Sequence, residues 1–286
     1  MNVSGYFHVV PDKVVGKTNI ISATEASRDK YMSDVMYKLY KKQIHENINP
    51  IGTVAFLYIG GASEHHSNSR NYGKSKDSTM PVFSQMGYTA SKIAKRFDGV
   101  EFMSINSNAC ASSMYALYEA EKLLSEYDSV IIYGEEWAEP NEVFLFKSLN
   151  IDIVCSDGLF VLCLDNRDDG VADISNTKWK WHPDKSAFGV SKEGYMTVLK
   201  DVKDTSLVKM HGTGTEANNT AEYSAIEEVL GNMETISIKE EIGHSQGVST
   251  GLEICMMMDR LDKDDSFLAL ASGLGSFYGS CHVGIK

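Results

Sequence analysis

The 286-residue sequence has little positive charge for its negative charge: 27 Lys and Arg stand against 39 Asp and Glu, a formal net charge of −12. A nucleic-acid partner calls for a basic face, so this balance argues against one, while a local basic patch can still meet an acidic protein. Long apolar runs are missing: no stretch approaches the length of a membrane span, and no charged segment followed by an apolar one opens the chain. Paired cysteines are missing too. Cys110, Cys155, Cys163, Cys255 and Cys281 form no CxxC and show no metal-ligand spacing, as expected of reduced thiols in a soluble, cytoplasmic protein without a structural metal. His65 and His66 have no Asp, Glu or His at ligand spacing and read as part of a solvated loop. Gly60-Gly61 is not a GxGxxG, which removes the usual signal for a dinucleotide.

What is present is an alternation of apolar runs and helix-length amphipathic segments, the α/β pattern. Strands are expected at Gly52–Ile59, Glu101–Ile105, Ser129–Tyr133 and Leu159–Leu164, with helices at Val82–Phe97 and Cys110–Tyr127. The polar, aperiodic Ser63–Met80 reads as a long loop. A second series follows: strands at Leu207–Met210, Thr235–Ile238, Phe267–Ala271 and His282–Ile285, helices at Thr220–Leu230 and Gln246–Leu261. The polar Asp165–Asp184 region is the expected seam, giving an N-terminal half over 1–165 and a C-terminal half over 166–286. In each half a helix opens with small residues just after a reactive side chain: Cys110-Ala-Ser-Ser in one, His244-Ser-Gln-Gly in the other.

Three of these side chains suit thioester chemistry. Cys110 follows a strand and a short turn and opens a helix, whose partial positive charge and free N–H groups favour a thiolate and can hold an oxyanion. The other four cysteines fall in apolar segments and read as packing. His211 lies in His-Gly-Thr-Gly-Thr directly after a strand, a tight turn lined with hydroxyls. His244 lies in Ile-Gly-His between strand and helix. Each histidine could serve only to satisfy a turn. The coincidence of all three at the C-terminal ends of strands, where open α/β folds gather their sites, favours chemistry.

These stretches resemble the β-ketoacyl synthase family. Ser107-Asn-Ala-Cys110-Ala-Ser-Ser-Met resembles the nucleophile motif D-T-A-C-S-S-S-L. His211-Gly-Thr-Gly-Thr215 matches the family's H-G-T-G-T, and Ser237-Ile-Lys239-Glu-Glu-Ile-Gly243-His244 resembles S-V-K-S-N-I-G-H. Ser156-Asp157-Gly158 with the strand after it, and Ser272–Val283 near the end, fall in family order as well. The resemblance implies a thiolase-like fold: two similar βαβαβ halves in α-β-α-β-α layers. It implies a ketosynthase of fatty-acid or polyketide biosynthesis, in which Cys110 takes an acyl group from a carrier-protein thioester. His211 and His244 would then promote condensation with a malonyl-type extender, with Lys239 positioning a histidine. Thr213 and Thr215 would bind the pantetheine arm, and the backbone N–H groups of Cys110 and Ser276 would form the oxyanion hole. No resident cofactor is implied, only the 4′-phosphopantetheine of an acyl carrier protein, with a homodimer or a heterodimer with a second ketosynthase-like subunit as the assembly. The alternatives are an acyltransferase or hydrolase that does not condense, or a partner subunit that shapes another ketosynthase's tunnel. The sequence departs from the family at Ser107 and Asn108, at Asn219, and in the gating loop. There Ser276 takes the phenylalanine's place and Phe277 and Tyr278 replace glycines, which suggests a fixed pocket wall.

Overall fold

The computed structural model describes residues 1–28, 34–60, 86–138, 140–148, 151–183, 189–202 and 205–286. The expected loop at Ser63–Met80, with His65 and His66, and the start of the helix expected from Val82 lie outside the described residues.

Strand β1 (Asn2–Val9) is followed by the hairpin β2 (Lys13–Val15) and β3 (Thr18–Ile20), helix α1 (Val35–Asn47), β4 (Val54–Gly60), α2 (Met86–Ala94) and β5 (Val100–Asn106). Next come α3 (Ser112–Leu123), β6 (Ser129–Glu136), α4 (Pro140–Ser148), β7 (Cys155–Ser156) and β8 (Gly158–Asp165). The chain continues through β9 (Ala172–Trp181), α5 (Lys192–Leu199), β10 (Leu207–Lys209), α6 (Glu216–Leu230) and β11 (Glu234–Ile236). It closes with the short α7 (Lys239–Ile242), α8 (Ser249–Arg260), β12 (Ser266–Gly273) and β13 (Phe277–Ile285).

The strands run β5-β4-β6-β8-β1 and β11-β10-β12-β13-β9, which is the same order twice: third, second, fourth, fifth, first. Directions repeat as well, with parallel pairs among the first three strands of each row and antiparallel pairs after them. The rows meet where Asn2 faces Asp173 and Val3 faces Ala172. The echo between Cys110-Ala-Ser-Ser and His244-Ser-Gln-Gly is thus one instance of a repeat of the whole half: each stretch follows the third strand of its row and leads into the helix after it.

Period-two alternation sorts the side chains into layers. Along β4, Ala55, Leu57 and Ile59 face the central core, while Val54, Phe56 and Tyr58 face an outer core with α1 and α2. Along β12, Phe267, Ala269 and Ala271 face the same central core, and Leu268 and Leu270 face an outer one with α5 and α6. Helices α3 and α8 fill the middle layer, which gives the α-β-α-β-α arrangement of a thiolase-like fold. From Ser249 to Met258 every residue of α8 is buried. Its Gly251 lies so close to the ring of Phe160 that a Cβ would come within 2.2 Å of it, so only glycine lets helix and sheet approach this far.

Several elements differ from the reading of the sequence. Within the Asp165–Asp184 region lies β9, a ten-residue strand beside the junction of the rows that the reading of the sequence did not place. Its polar composition arises because only Ala172 and Ile174 are fully buried; the rest of the strand is half-buried or exposed. The sequence reading also passed over β1 to β3, α1, α4 and α5. Strand β1 carries a glycine and mixed burial rather than an apolar run, although it sits at the centre of the molecule.

One buried acid bears on stability. Glu135 on β6 accepts hydrogen bonds from Tyr58 Oη at 2.9 Å and Tyr133 Oη at 3.0 Å, beneath two stacked tyrosine rings. Burial raises its pKa to about 7, partly offset by the two phenols. The folded value exceeds the ordinary one of 4.5, so the stabilisation is complete below pH 4.5 and is lost as pH rises through about 7. Melting curves across this range should therefore show a fall in stability towards high pH that is absent from Glu135→Gln. An identical pH profile in the variant would exclude Glu135 as its source.

Candidate active site

Cys110 sits in the turn between β5 and α3. The preceding Ala109 has a left-handed backbone, φ +50°, and Ser112 closes the turn by accepting the Asn108 N–H at 2.7 Å and donating to the Ala109 carbonyl at 2.6 Å. Ser113 donates to the carbonyl of Gly247, tying this turn to the start of α8. Gly273, at the end of β12, presses on it from the other side: a Cβ there would lie 2.8 Å from the Asn108 carbonyl oxygen.

His211 follows β10. Its N–H and that of Gly212 (at 2.9 Å) both go to the carboxylate of Glu222 on α6, which holds the His-Gly-Thr-Gly-Thr turn in shape. His244 follows β11 and α7. Its Nδ1 accepts the Gln246 N–H at 2.9 Å, with the Ser249 hydroxyl at 3.2 Å. An Nδ1 that accepts leaves the proton of the neutral ring on Nε2. That Nε2 is buried and has no partner among the described residues, and the same is true of Nδ1 of His211. The two rings stand edge to face with centroids 5.9 Å apart.

Cys110, His211 and His244 line one cavity of about 400 Å³, together with Thr213 and Thr215. Apolar walls from Phe146, Ile151 and Leu274 complete it. The two threonine hydroxyls lie 3.0 Å apart. A second cavity of about 410 Å³ shares Thr213 and His244 and adds Lys17 and Lys239. Lys239 does not line the cavity of Cys110. It donates to the carbonyl of His211 at 2.6 Å and pairs with Glu253 at 2.6 Å, and Glu253 also takes the buried Lys209. It therefore holds the backbone of His211 rather than its ring.

Burial, followed by the charge of Lys239, holds both imidazoles well below the ordinary histidine pKa. Both are neutral at pH 7 and act as hydrogen-bonding groups. Burial lowers Lys239 and raises Glu222, so the network beneath the histidines is balanced by pairing and not by solvent. Burial also raises the thiols of Cys163, of Cys255 and of Cys281, the last to about 12. Cys110 alone among the five cysteines lines the cavity. Among the described residues no cluster of His, Cys, Asp and Glu could hold a metal ion, and no helix is long and apolar enough to cross a membrane.

Ser276 is buried in the turn between β12 and β13 at φ +66°, and its carbonyl accepts the His182 N–H at 3.0 Å. It is not among the residues lining the cavity; Ser272, Gly273 and Leu274 of the same turn are. Phe277 and Tyr278 do not form the expected wall either. Phe277 stacks on Trp179 with centroids 5.5 Å apart, and Tyr278 is fully buried against Tyr195, its hydroxyl accepting the Ser191 N–H at 2.8 Å. The residues that replace glycines have become core. Tyr278→Ala should therefore cost about 3–5 kcal/mol of stability, the usual range for a buried aromatic, which denaturant unfolding would measure. A cost below about 1 kcal/mol would show that the ring is not packed as described.

The residue the sequence reading passed over is Gln246. Its Oε1 is 3.9 Å from Cys110 Sγ, and its backbone N–H sets the tautomer of His244. The signal was its place in His244-Ser-Gln-Gly, the counterpart of Cys110-Ala-Ser-Ser.

The fold is thiolase-like, and one of its cavities brings a cysteine and two histidines together. Residues 177–264 match the β-ketoacyl synthase C-terminal domain. A stretch of 62 residues is 39% identical to the non-reducing polyketide synthase pkiA of Emericella nidulans; it makes up 20% of this chain and 2% of that much longer protein. The whole chain superposes on a chain of the AntDE:AntF assembly, a type II polyketide synthase acyl-carrier protein in complex with its ketosynthase, with a TM-score of 0.83, 15% identity and 98% of that chain covered. It also superposes on a chain of the complex of the ketosynthase ApeO with its chain length factor ApeC from Xenorhabdus doucetiae, with a TM-score of 0.79, 14% identity and 98% of that chain covered. The chain thus has the fold of these ketosynthase assemblies, and about a third of it, residues 177–264, matches the β-ketoacyl synthase C-terminal domain.

Proposed function

We propose that this protein is a condensing enzyme that takes an acyl group from a carrier-protein thioester onto Cys110 and joins it to a malonyl-type extender. The observation that carries this reading is the meeting of Cys110, His211 and His244 in one cavity with two bare imidazole nitrogens. A thiolate at Cys110 attacks the thioester carbonyl, and N–H donors hold the charge that develops on oxygen. Carbon dioxide then leaves the extender, and the electron pair of the broken C–C bond becomes an enolate. His244, with its proton on Nε2, donates to the enolate oxygen, and neutral His211 is its partner. The enolate carbon attacks the acyl group, and the Cys110 thiolate departs.

The carrier supplies a 4′-phosphopantetheine arm, for which Thr213 and Thr215 offer adjacent hydroxyls at the cavity wall. Lys17 beside the second cavity offers positive charge to an acidic carrier. A second ketosynthase-like chain completes the assembly, because β5 is an edge strand that leaves Met103 exposed. The test is intact-protein mass spectrometry of the chain with a panel of acyl-carrier thioesters, followed by malonyl carrier and measurement of released carbon dioxide. An acyl adduct on Cys110 and carbon dioxide release support condensation. An adduct without carbon dioxide identifies an acyltransferase or hydrolase. No adduct, alone or with a co-expressed ketosynthase, removes the catalytic reading. Light scattering of the same sample reads the assembly, and a fully active monomer would contradict it.

A further inference from the structure

Gln246 carries three features that packing alone does not account for. It lies at φ +48°, in the left-handed region that non-glycine residues rarely enter and that persists only where the surroundings impose it. Its backbone N–H is committed to His244 Nδ1 at 2.9 Å, and this bond fixes both the strained residue and the histidine tautomer. Its side chain reaches back to the nucleophile, placing Oε1 3.9 Å from Cys110 Sγ, while Nε2 is buried with no acceptor among the described residues. A buried amide N–H₂ without an acceptor is costly, and such groups in folded proteins point to a missing partner.

Ser276, whose N–H the resemblance would make the second oxyanion donor, is not among the residues lining the cavity, whereas Cys110, which Gln246 approaches, is. We propose that Gln246 is a catalytic residue whose Nε2 donates a hydrogen bond to the carbonyl oxygen of the acyl group passing through Cys110. The inference rests on the acyl-transfer reading of Cys110 given above.

The chemistry follows from what each state of the sulfur offers. The free thiol is a donor, and Oε1 is turned towards it. When Sγ attacks a thioester, the Sγ–C bond forms and the C=O π pair moves onto oxygen. Collapse of that oxyanion restores the carbonyl and breaks the bond to the carrier's sulfur, and the proton lost from Sγ ends on the departing thiolate. From the attack onward the site holds an oxygen acceptor and no S–H donor. The same planar carboxamide, turned about its last bond, then presents Nε2–H where Oε1 had been. The ligand class is the carbonyl of an acyl thioester, and the donor is one the fold has already desolvated.

The test compares two reactions of the same sulfur. Acylation by an acyl thioester passes through an oxyanion, whereas alkylation by iodoacetamide does not. In Gln246→Met, which keeps the side-chain length and removes the N–H₂, single-turnover acylation of Cys110 should fall on the order of 10²-fold while iodoacetamide alkylation keeps its wild-type rate. Unchanged acylation overturns the proposal. So does an equal fall in both reactions, which would make Gln246 a residue that merely positions or tunes the thiol. If Gln246→Met does not fold, Gln246→Asn, which withdraws the amide by one methylene, gives the same pair of rates. Absence of acylation in the unmodified protein, with alkylation intact, is a different result: it removes the acyl-transfer reading itself, and this inference with it.

Discussion

Replacing Cys110 by alanine should abolish the acyl adduct altogether, the largest effect expected of any single substitution. No other sulfur can take over. Cys155, Cys163, Cys255 and Cys281 are fully buried, and burial holds the last three as neutral thiols well into the alkaline range. A thiol that does not ionise is a poor nucleophile. Cys110 combines a place at the cavity wall with a turn that opens a helix. Iodoacetamide labelling with peptide mapping should accordingly place nearly all modification on Cys110 in the native protein. Residual acylation in Cys110→Ala, or preferential labelling of another cysteine, would mean that the nucleophile has been misassigned.

The histidines give the second large effect, with a different signature. His211→Ala and His244→Ala should still permit acylation of Cys110, and each should lower condensation on the order of 10²-fold or more, the usual loss for one acid–base or oxyanion partner. Single-turnover acylation and carbon dioxide release from a malonyl carrier, measured on the same preparations, separate the two steps. Condensation at the wild-type rate in both variants would refute the three-residue mechanism. The pH dependence has a definite sign. Both imidazoles are depressed by burial and by Lys239, so they stay neutral from the ordinary value of 6.5 upward and for some distance below it. The unfolded chain takes up protons at about 6.5 where the buried rings do not, so this contribution to stability is complete above that pH and declines as pH falls below it. In a doubly substituted His211→Ala, His244→Ala protein that part of the acid sensitivity should disappear.

Much of the candidate site was legible because the turns that carry its side chains are local. A cysteine after a strand and at a helix start, a histidine followed by Gly-Thr-Gly-Thr, and a histidine after Ile-Gly each fix their own backbone surroundings. The structure adds the hydrogen bonds: Glu222 to the turn of His211, the Gln246 N–H to His244. Buried strands such as β4 and β8 were legible because both faces are covered, and they read as continuous apolar runs. Strand β9 was not. It shows Lys, Asn and Thr outward, and its pairing with β13 and β1 is a relation between segments far apart in the chain.

The turn between β12 and β13 divides along the same line. By itself the sequence determined that Phe277 and Tyr278 occupy positions where a mobile loop would need glycine. It could not determine which way those rings point, because that depends on whether a hydrophobic layer or the cavity lies behind β13. Tertiary packing decided it by setting Tyr195 and Trp179 against them. The same holds for Gln246. The sequence placed it two residues beyond His244, but only the close approach of the two third-strand turns, one from each half, brings its carboxamide against Cys110, 136 residues away in the chain. Local motifs fix what each side chain can do. The repeated five-strand order fixes which side chains meet, because two halves that bury their central helices against each other must also bring together the turns that open those helices.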